Sequence, residues 1–165
     1  MKVVSEKVID SVLDALEEYS DEQYERQMEA FSQAQPYLFA YLFSDDNFHL
    51  LTEDEKGYVQ YLGLVVWLAV TRVNGDVPLV DNEHIGQAEE RNYERLETAT
   101  AHRFEERLDA FFEDTDQEPL LLFAVEAVTD DEENGEALVV TPEGRETVFV
   151  AVKTVIDTLT QAASK

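Results

Sequence analysis

Three histidines, His49, His84 and His102, stand in a chain crowded with carboxylates, and imidazoles beside Asp or Glu are the raw material of divalent-metal and acid/base sites. Two of them share a pattern. Asp46-Asn47-Phe48-His49 and Asp81-Asn82-Glu83-His84 both read Asp-Asn-x-His, and a three-residue helical step sets the first and last groups on one face. The paired Glu-x-x-His helices of di-iron bundles do not occur, so the pattern selects no metal. In each copy the Asp fits better as the cap of a helix or turn. His49, His84 and His102 are therefore the candidate metal ligands, with capping as the competing role.

Four of the seven arginines, Arg91, Arg95, Arg103 and Arg107, fall in one short stretch of an otherwise acidic chain. Arg91 and Arg95, like Arg103 and Arg107, are neighbours on a helix face, so each pair can point at a carboxylate or phosphate. Interleaved Glu90, Glu94, Glu105 and Glu106 offer the alternative of a helix laced with salt bridges. These arginines are the candidate ligand-binding residues.

Other chemistries find less material. Asp130-Asp131-Glu132-Glu133-Asn134-Gly135 resembles the opening of a calcium loop, but the ninth position is Leu138 and the twelfth Thr141, which cannot supply the bidentate carboxylate. No serine lies in a Gly-x-Ser-x-Gly elbow and the six glycines form no phosphate loop. There are no cysteines, which excludes disulfides, thiolate metal sites and cysteine nucleophiles. No cofactor motif is present and no cofactor is expected.

The elements that must position these residues are helical. Val8, Val12 and Leu16 form a stripe, and Ser20-Asp21-Glu22-Gln23 offers a capping box for a helix bearing Tyr24, Met28 and Phe31. Pro36 opens a third helix, whose aromatics Tyr37, Phe39, Tyr41 and Phe43 are expected to pack in the core. Thr52-Glu53-Asp54-Glu55 is a second box, starting a long helix that ends at Asn74-Gly75. Val77-Pro78-Leu79-Val80 reads as extended, and Asp81 caps a helical region running to Phe112 with a break near Thr98 to Thr100. Pro119 begins another helix, an acidic loop spans Thr129 to Glu136, and Thr141-Pro142 starts the last helix, running through Gln161. Its stripe of Val148, Val152, Val155, Ile156 and Leu159, opposed by Arg145, Lys153 and Asp157, predicts a surface helix. Tyr58 to Val73, apolar nearly all round, should be the central one, with Gly63 admitting a close neighbour and Trp67 filling the adjoining space.

Set against itself at an offset of about 80 residues, the chain repeats in part. Tyr24, Met28 and Phe31 face Phe104, Leu108 and Phe111; Pro36 and Leu38-Phe39-Ala40 face Pro119 and Leu122-Phe123-Ala124; Thr52 faces Thr141. The expectation is one all-α domain over residues 1–165, a bundle of about eight helices in two related four-helix halves, 4–75 and 81–163.

Charge limits the partners. Acidic residues outnumber basic ones 37 to 12, only five of the latter being lysines, and the formal charge is -25. Nucleic acid and anionic membranes would be repelled. The acids are dispersed along the chain, which suits a salt-rich cytoplasm where the Debye length shrinks to about 3 Å at 1 M salt. An ordinary acidic protein and a polyanionic inhibitor of a basic partner are the other readings. Tyr58 to Val73 falls short of the roughly 20 apolar residues of a membrane span, and the start of the chain becomes charged before any leader-length apolar run. The functional expectation is a cytoplasmic, non-catalytic binding or scaffolding module with an unknown protein or small-molecule partner, or with a second copy as a homodimer. The competing expectation is a metal-dependent or acid/base hydrolase near the histidines.

Overall fold

The segment Val77-Pro78-Leu79-Val80 has no helix or sheet to satisfy its backbone, and any part of it that is buried needs another hydrogen-bond partner. In the computed structural model, which describes residues 2–99, 103–129 and 140–164, Gln35 is that partner. Its buried side chain accepts from the Val80 N–H at 2.9 Å and donates to the carbonyls of Pro78 at 3.0 Å and Val77 at 3.2 Å. The first residues are held in the same way. The buried Gln117 accepts from the Val4 N–H at 3.0 Å and donates to the Lys2 carbonyl at 3.4 Å. Val4 and Val80 are both buried, and each immediately precedes the N-cap of a helix, Ser5 or Asp81.

Eight helices follow one another among the described residues: α1 (Glu6–Glu18), α2 (Asp21–Ala34), α3 (Pro36–Leu42), α4 (Glu53–Asn74), α5 (Asn82–Thr98), α6 (Phe104–Phe112), α7 (Glu118–Val128) and α8 (Arg145–Ala163). Their ends obey local chemistry. Ser20 with Gln23 and Thr52 with Glu55 form complete capping boxes, Pro36 occupies the first turn of α3, and Gly75 stops α4 with φ of 76°, a value glycine adopts without strain. The break expected near Thr98 to Thr100 falls after Thr98.

α4 and α8 pack against each other at the centre. α1 lies on α4 and touches α7, while α5 lies on α8 and touches α3; α2 with α3, and α6 with α7, close the two ends. Gly63 does admit a neighbour, since a Cβ there would overlap the Leu42 side chain of α3. Trp67 stacks on Phe31 with centroids 5.2 Å apart.

The position expected for the last helix is corrected. α8 is a core helix: every residue from Val148 to Ile156 is buried, Lys153 and Thr154 included. Lys153 does not mark a solvent face, because its ammonium pairs with Asp157 one turn on and lies 5.8 Å over the Phe111 ring, so its charge is answered inside the protein. Thr141-Pro142 does not begin the helix directly. A turn at 142–144 intervenes and α8 starts at Arg145, with Thr141 Oγ1 accepting from the Gly144 N–H at 3.2 Å. The aromatic set of α3 also divides: Tyr41 is buried, whereas Tyr37 and Phe43 are 40% and 42% exposed.

Glu55 joins the starts of the two central helices. Its carboxylate accepts from the Thr52 N–H at 2.9 Å, and from the Thr141 N–H at 3.0 Å and hydroxyl at 3.1 Å. Burial pushes this carboxyl's pKa upward, but the hydrogen bonds from Thr52 and Thr141 outweigh it and the net shift is downward. Gly144 is required beside it, since a Cβ there would overlap the Glu55 carboxylate.

Candidate functional site

The four arginines separate. Arg91 and Arg95, one turn apart on α5, line a groove of about 430 Å3 against α8 together with Asn92, Glu94, Thr98, Asp114, Lys153, Asp157 and Gln161. Arg107 faces elsewhere: it pairs with Glu146 of α8 and donates to the Leu96 carbonyl at 3.4 Å. Arg103 sits exposed at the N-cap of α6. Within the groove Arg95 is held at 2.9 Å by Asp114 and lies 5.6 Å over Phe111, and Lys153 pairs with Asp157. The buried Asn92 donates to Asp157 at 3.1 Å and Thr154 at 3.3 Å. Three cations therefore meet three carboxylates, counting Glu94, and an arriving anion would compete with carboxylates already in place. Of these three cations, Arg95 and Lys153 are ion-paired within the groove and Arg91 has no ion pair among the described residues. The groove is a salt-bridged seam between α5 and α8.

The histidines also lie apart. His49 Nδ1 meets the Asp46 carbonyl oxygen at 3.1 Å in the turn before α4, and His84 Nδ1 lies 2.6 Å from the Asp81 carboxylate, which also accepts from the His84 N–H at 2.9 Å. Both imidazoles are exposed. The shared Asp-Asn-x-His pattern thus makes two different local contacts, backbone to ring in one copy and a capping carboxylate in the other. His102 and the acidic segment from Asp130 to Glu136 lie outside the described residues. Among the described residues no cluster of three His, Asp or Glu side chains is arranged to hold a metal ion.

Two further grooves arise from the helix contacts that tie one end of the bundle to the other. Where α1 runs beside α7, Ile9 and Leu13 face Pro119, Leu122 and Phe123 across about 290 Å3, with Glu6, Asp10, Glu118 and Glu126 around the margin. Leu122 is 40% exposed, and the four carboxylate residues are all exposed. Where α5 runs beside α3, Ile85, Gly86, Asn82 and Glu89 face Ala40, Tyr41, Ser44 and Asn47 across about 320 Å3.

These two grooves match position by position. Counted from the buried valine of each leader, Glu6, Ile9, Asp10 and Leu13 stand where Asn82, Ile85, Gly86 and Glu89 stand. Counted from the anchoring glutamine, Leu122, Phe123 and Glu126 stand where Ala40, Tyr41 and Ser44 stand. The frame is shared and the lining differs. In the α3/α5 groove the Tyr41 hydroxyl and Glu89 carboxylate meet at 2.5 Å, and burial together with that carboxylate raises the tyrosine pKa far above its ordinary value. The α1/α7 groove has Phe123 and Leu13 at those positions.

Neither groove was legible as a site in the sequence. Their residues read as ordinary amphipathic helix, because α1 and α7 are more than a hundred positions apart and nothing local marks them as neighbours. The pairing of Leu122 with Ala40 emerges only on counting from Gln117 and Gln35, whose anchoring role needs the tertiary structure.

No family of proteins, curated protein or solved structure matches this chain. The fold and the grooves define its class, an acidic all-helical protein of eight described helices, with two matched surface grooves of which one is apolar. No helix among the described residues is long and apolar enough to cross a membrane.

Proposed function

We propose that this protein is a non-catalytic binding module, built from two related four-helix halves and working in a salt-rich cytoplasm, with the α1/α7 groove as its binding surface. One observation carries the reading: at matched positions one groove is lined with Leu13, Leu122 and Phe123 and the other with Glu89, Ala40 and Tyr41. Packing alone does not require the exposed leucine, since the α3/α5 groove achieves the same helix contact without it. Apolar side chains left in water on one groove only are what a binding surface requires.

The reciprocal bonds from Gln35 to the leader of α5 and from Gln117 to the leader of α1 support the origin of the halves as a duplication. The scarcity of lysine, five residues beside 37 acidic ones, supports the saline setting. The test is a titration of isotopically labelled protein with a neutral amphipathic helical peptide, followed by amide NMR shifts. Shifts should gather at Ile9, Leu13, Leu122 and Phe123. Shifts confined to Tyr41, Ile85 and Glu89, or spread evenly over the surface, would refute the reading.

A second reading, an acid/base hydrolase, is favoured by the Asp81–His84 contact beside a pocket of about 240 Å3 lined also by Thr158 and Gln161. The hydroxyl of Thr158 is buried and donates to the Thr154 carbonyl at 2.8 Å, which leaves water as the nucleophile. Ester hydrolysis that disappears in His84→Ala but persists in His49→Ala would support it; identical rates in the parent and His84→Ala would remove it.

A further inference from the structure

We infer that the α1/α7 groove docks a basic amphipathic helix from a partner protein; this names the partner of the binding surface proposed above and rests on that reading. The floor is a strip of Ile9, Leu13, Leu122 and Phe123, presented by two helices side by side. A helix laid in such a groove inserts side chains at i, i+3 or i+4, and i+7. The space, about 290 Å3, lies at or below the small end of small-molecule pockets, which run from about 300 to 1,000 Å3, and is not enclosed. It suits a few inserted side chains of a longer segment better than an enclosed small ligand.

The margin supplies the sign. Glu6 and Asp10 lie along one side and Glu118 and Glu126 along the other, four carboxylates around an apolar strip. At the matched positions the α3/α5 groove has the uncharged Asn82, Gly86 and Ser44, and Pro36, which matches Glu118, does not line it. The apolar groove thus has four carboxylate residues around it, against the single Glu89 of the α3/α5 groove, which is engaged by Tyr41. Lysines or arginines flanking the apolar stripe of the incoming helix would meet a margin of complementary charge at Glu6, Asp10 and Glu118. A second copy of this chain does not fit, because a twofold contact through the groove would bring two such margins together on partners each carrying -25.

Three synthetic helical peptides decide the matter, alike in their leucine stripe and bearing Lys/Arg, Gln or Glu on the flanks. Affinity is read by fluorescence anisotropy in 0.1 M and 1 M NaCl. The basic peptide should bind best, its advantage over the Gln peptide shrinking in 1 M NaCl as the flanking charges are screened. Leu122→Asp should weaken it roughly tenfold or more, since one buried leucine is worth that much. Nonspecific attraction has the opposite sign, because the new carboxylate adds to the negative charge of the protein. Ala40→Asp, at the matched place in the other groove, should leave affinity unchanged, and Glu6→Gln with Asp10→Asn should lower it about threefold in 0.1 M NaCl. Leu122 is partly exposed, and unchanged circular dichroism of Leu122→Asp keeps a loss of binding from being a loss of fold.

Basic and Gln peptides binding equally, both weakened by Leu122→Asp, would overturn the basic partner and leave the groove standing. Basic-peptide binding that Leu122→Asp strengthens or leaves unchanged would overturn the inference, as mere attraction of opposite charges. Failure of all three peptides would overturn the groove reading itself, and sedimentation showing a dimer that Leu122→Asp dissolves would replace the partner with a second copy.

Discussion

The α1/α7 and α3/α5 grooves are framed by the same device and lined by opposite chemistry. In each, a buried glutamine ahead of one helix holds the extended leader of another, and the two helices then run together. One interior is sealed by a tyrosine–glutamate hydrogen bond and the other is left as phenylalanine and leucine. The frame therefore belongs to folding, and the lining is free to differ. In the α3/α5 groove the polar pair satisfies itself, whereas in the α1/α7 groove Leu122 stays 40% exposed.

Removing the frame should produce the largest effects. Gln35→Ala leaves the Val80 N–H and the carbonyls of Val77 and Pro78 without their partner and should cost about 2–4 kcal/mol in urea unfolding. Gln117→Ala, which releases one N–H and one long bond to Lys2, should cost less, about 1–3 kcal/mol. Equal insensitivity of both variants would dissolve the common frame.

Exchanging the lining tests the other side of the comparison. Glu89→Leu alone leaves the buried Tyr41 hydroxyl without its acceptor and should cost about 1–3 kcal/mol. Adding Tyr41→Phe reproduces the Phe123–Leu13 pair of the other groove and should recover most of that loss, a coupling that a double-mutant cycle measures directly. Simple additivity of the two changes would mean that the grooves are not interchangeable.

Alkali should distinguish the grooves more weakly. The Tyr41 pKa is raised in the folded protein, so its contribution is fully present below about pH 10 and is lost as pH climbs above that unfolded value toward the folded one. Tyr41→Phe should therefore flatten the decline of stability above pH 10. Tyr24, Tyr58, Tyr61 and Tyr93 are shifted in the same direction by burial and leave a residual slope. The smallest expected change is that of Phe123→Tyr, which should add alkaline sensitivity to the α1/α7 side only if its hydroxyl becomes buried.

Much of the helical frame could be read directly. Ser20 with Gln23, Thr52 with Glu55, Pro36 and Gly75 mark ends because capping is decided within a few residues. The role of α8 could not be read in this way. Its polar residues looked like a solvent face, and only the partners that surround them, Asp157 beside Lys153 and Asn92 against Thr154, show that they are buried. The register of the repeat read from the sequence differs from the one obtained by counting from the two buried glutamines. Pairing Leu38 with Leu122 joins a fully buried residue to an exposed one, whereas counting from Gln35 and Gln117 pairs Leu38 with Leu120, both fully buried. Similar residues recur along any amphipathic helix, so resemblance tolerates a slip that burial does not.

The clustered arginines were the most conspicuous candidates, and the structure draws Arg95 and Arg107 into ion pairs while turning Arg103 away. His49 and His84 fared likewise, each engaged by the aspartate of its own turn. The amino-acid sequence by itself determined the acidity of the chain, where its helices start and stop, and which chemistries lack residues, because those depend on composition and on neighbours within a turn. Only the tertiary structure decided that Glu6 and Asp10 share a margin with Glu118 and Glu126 around an apolar floor. That meeting depends on α1 packing against α7, and contacts between segments so far apart are fixed by the burial of the whole core.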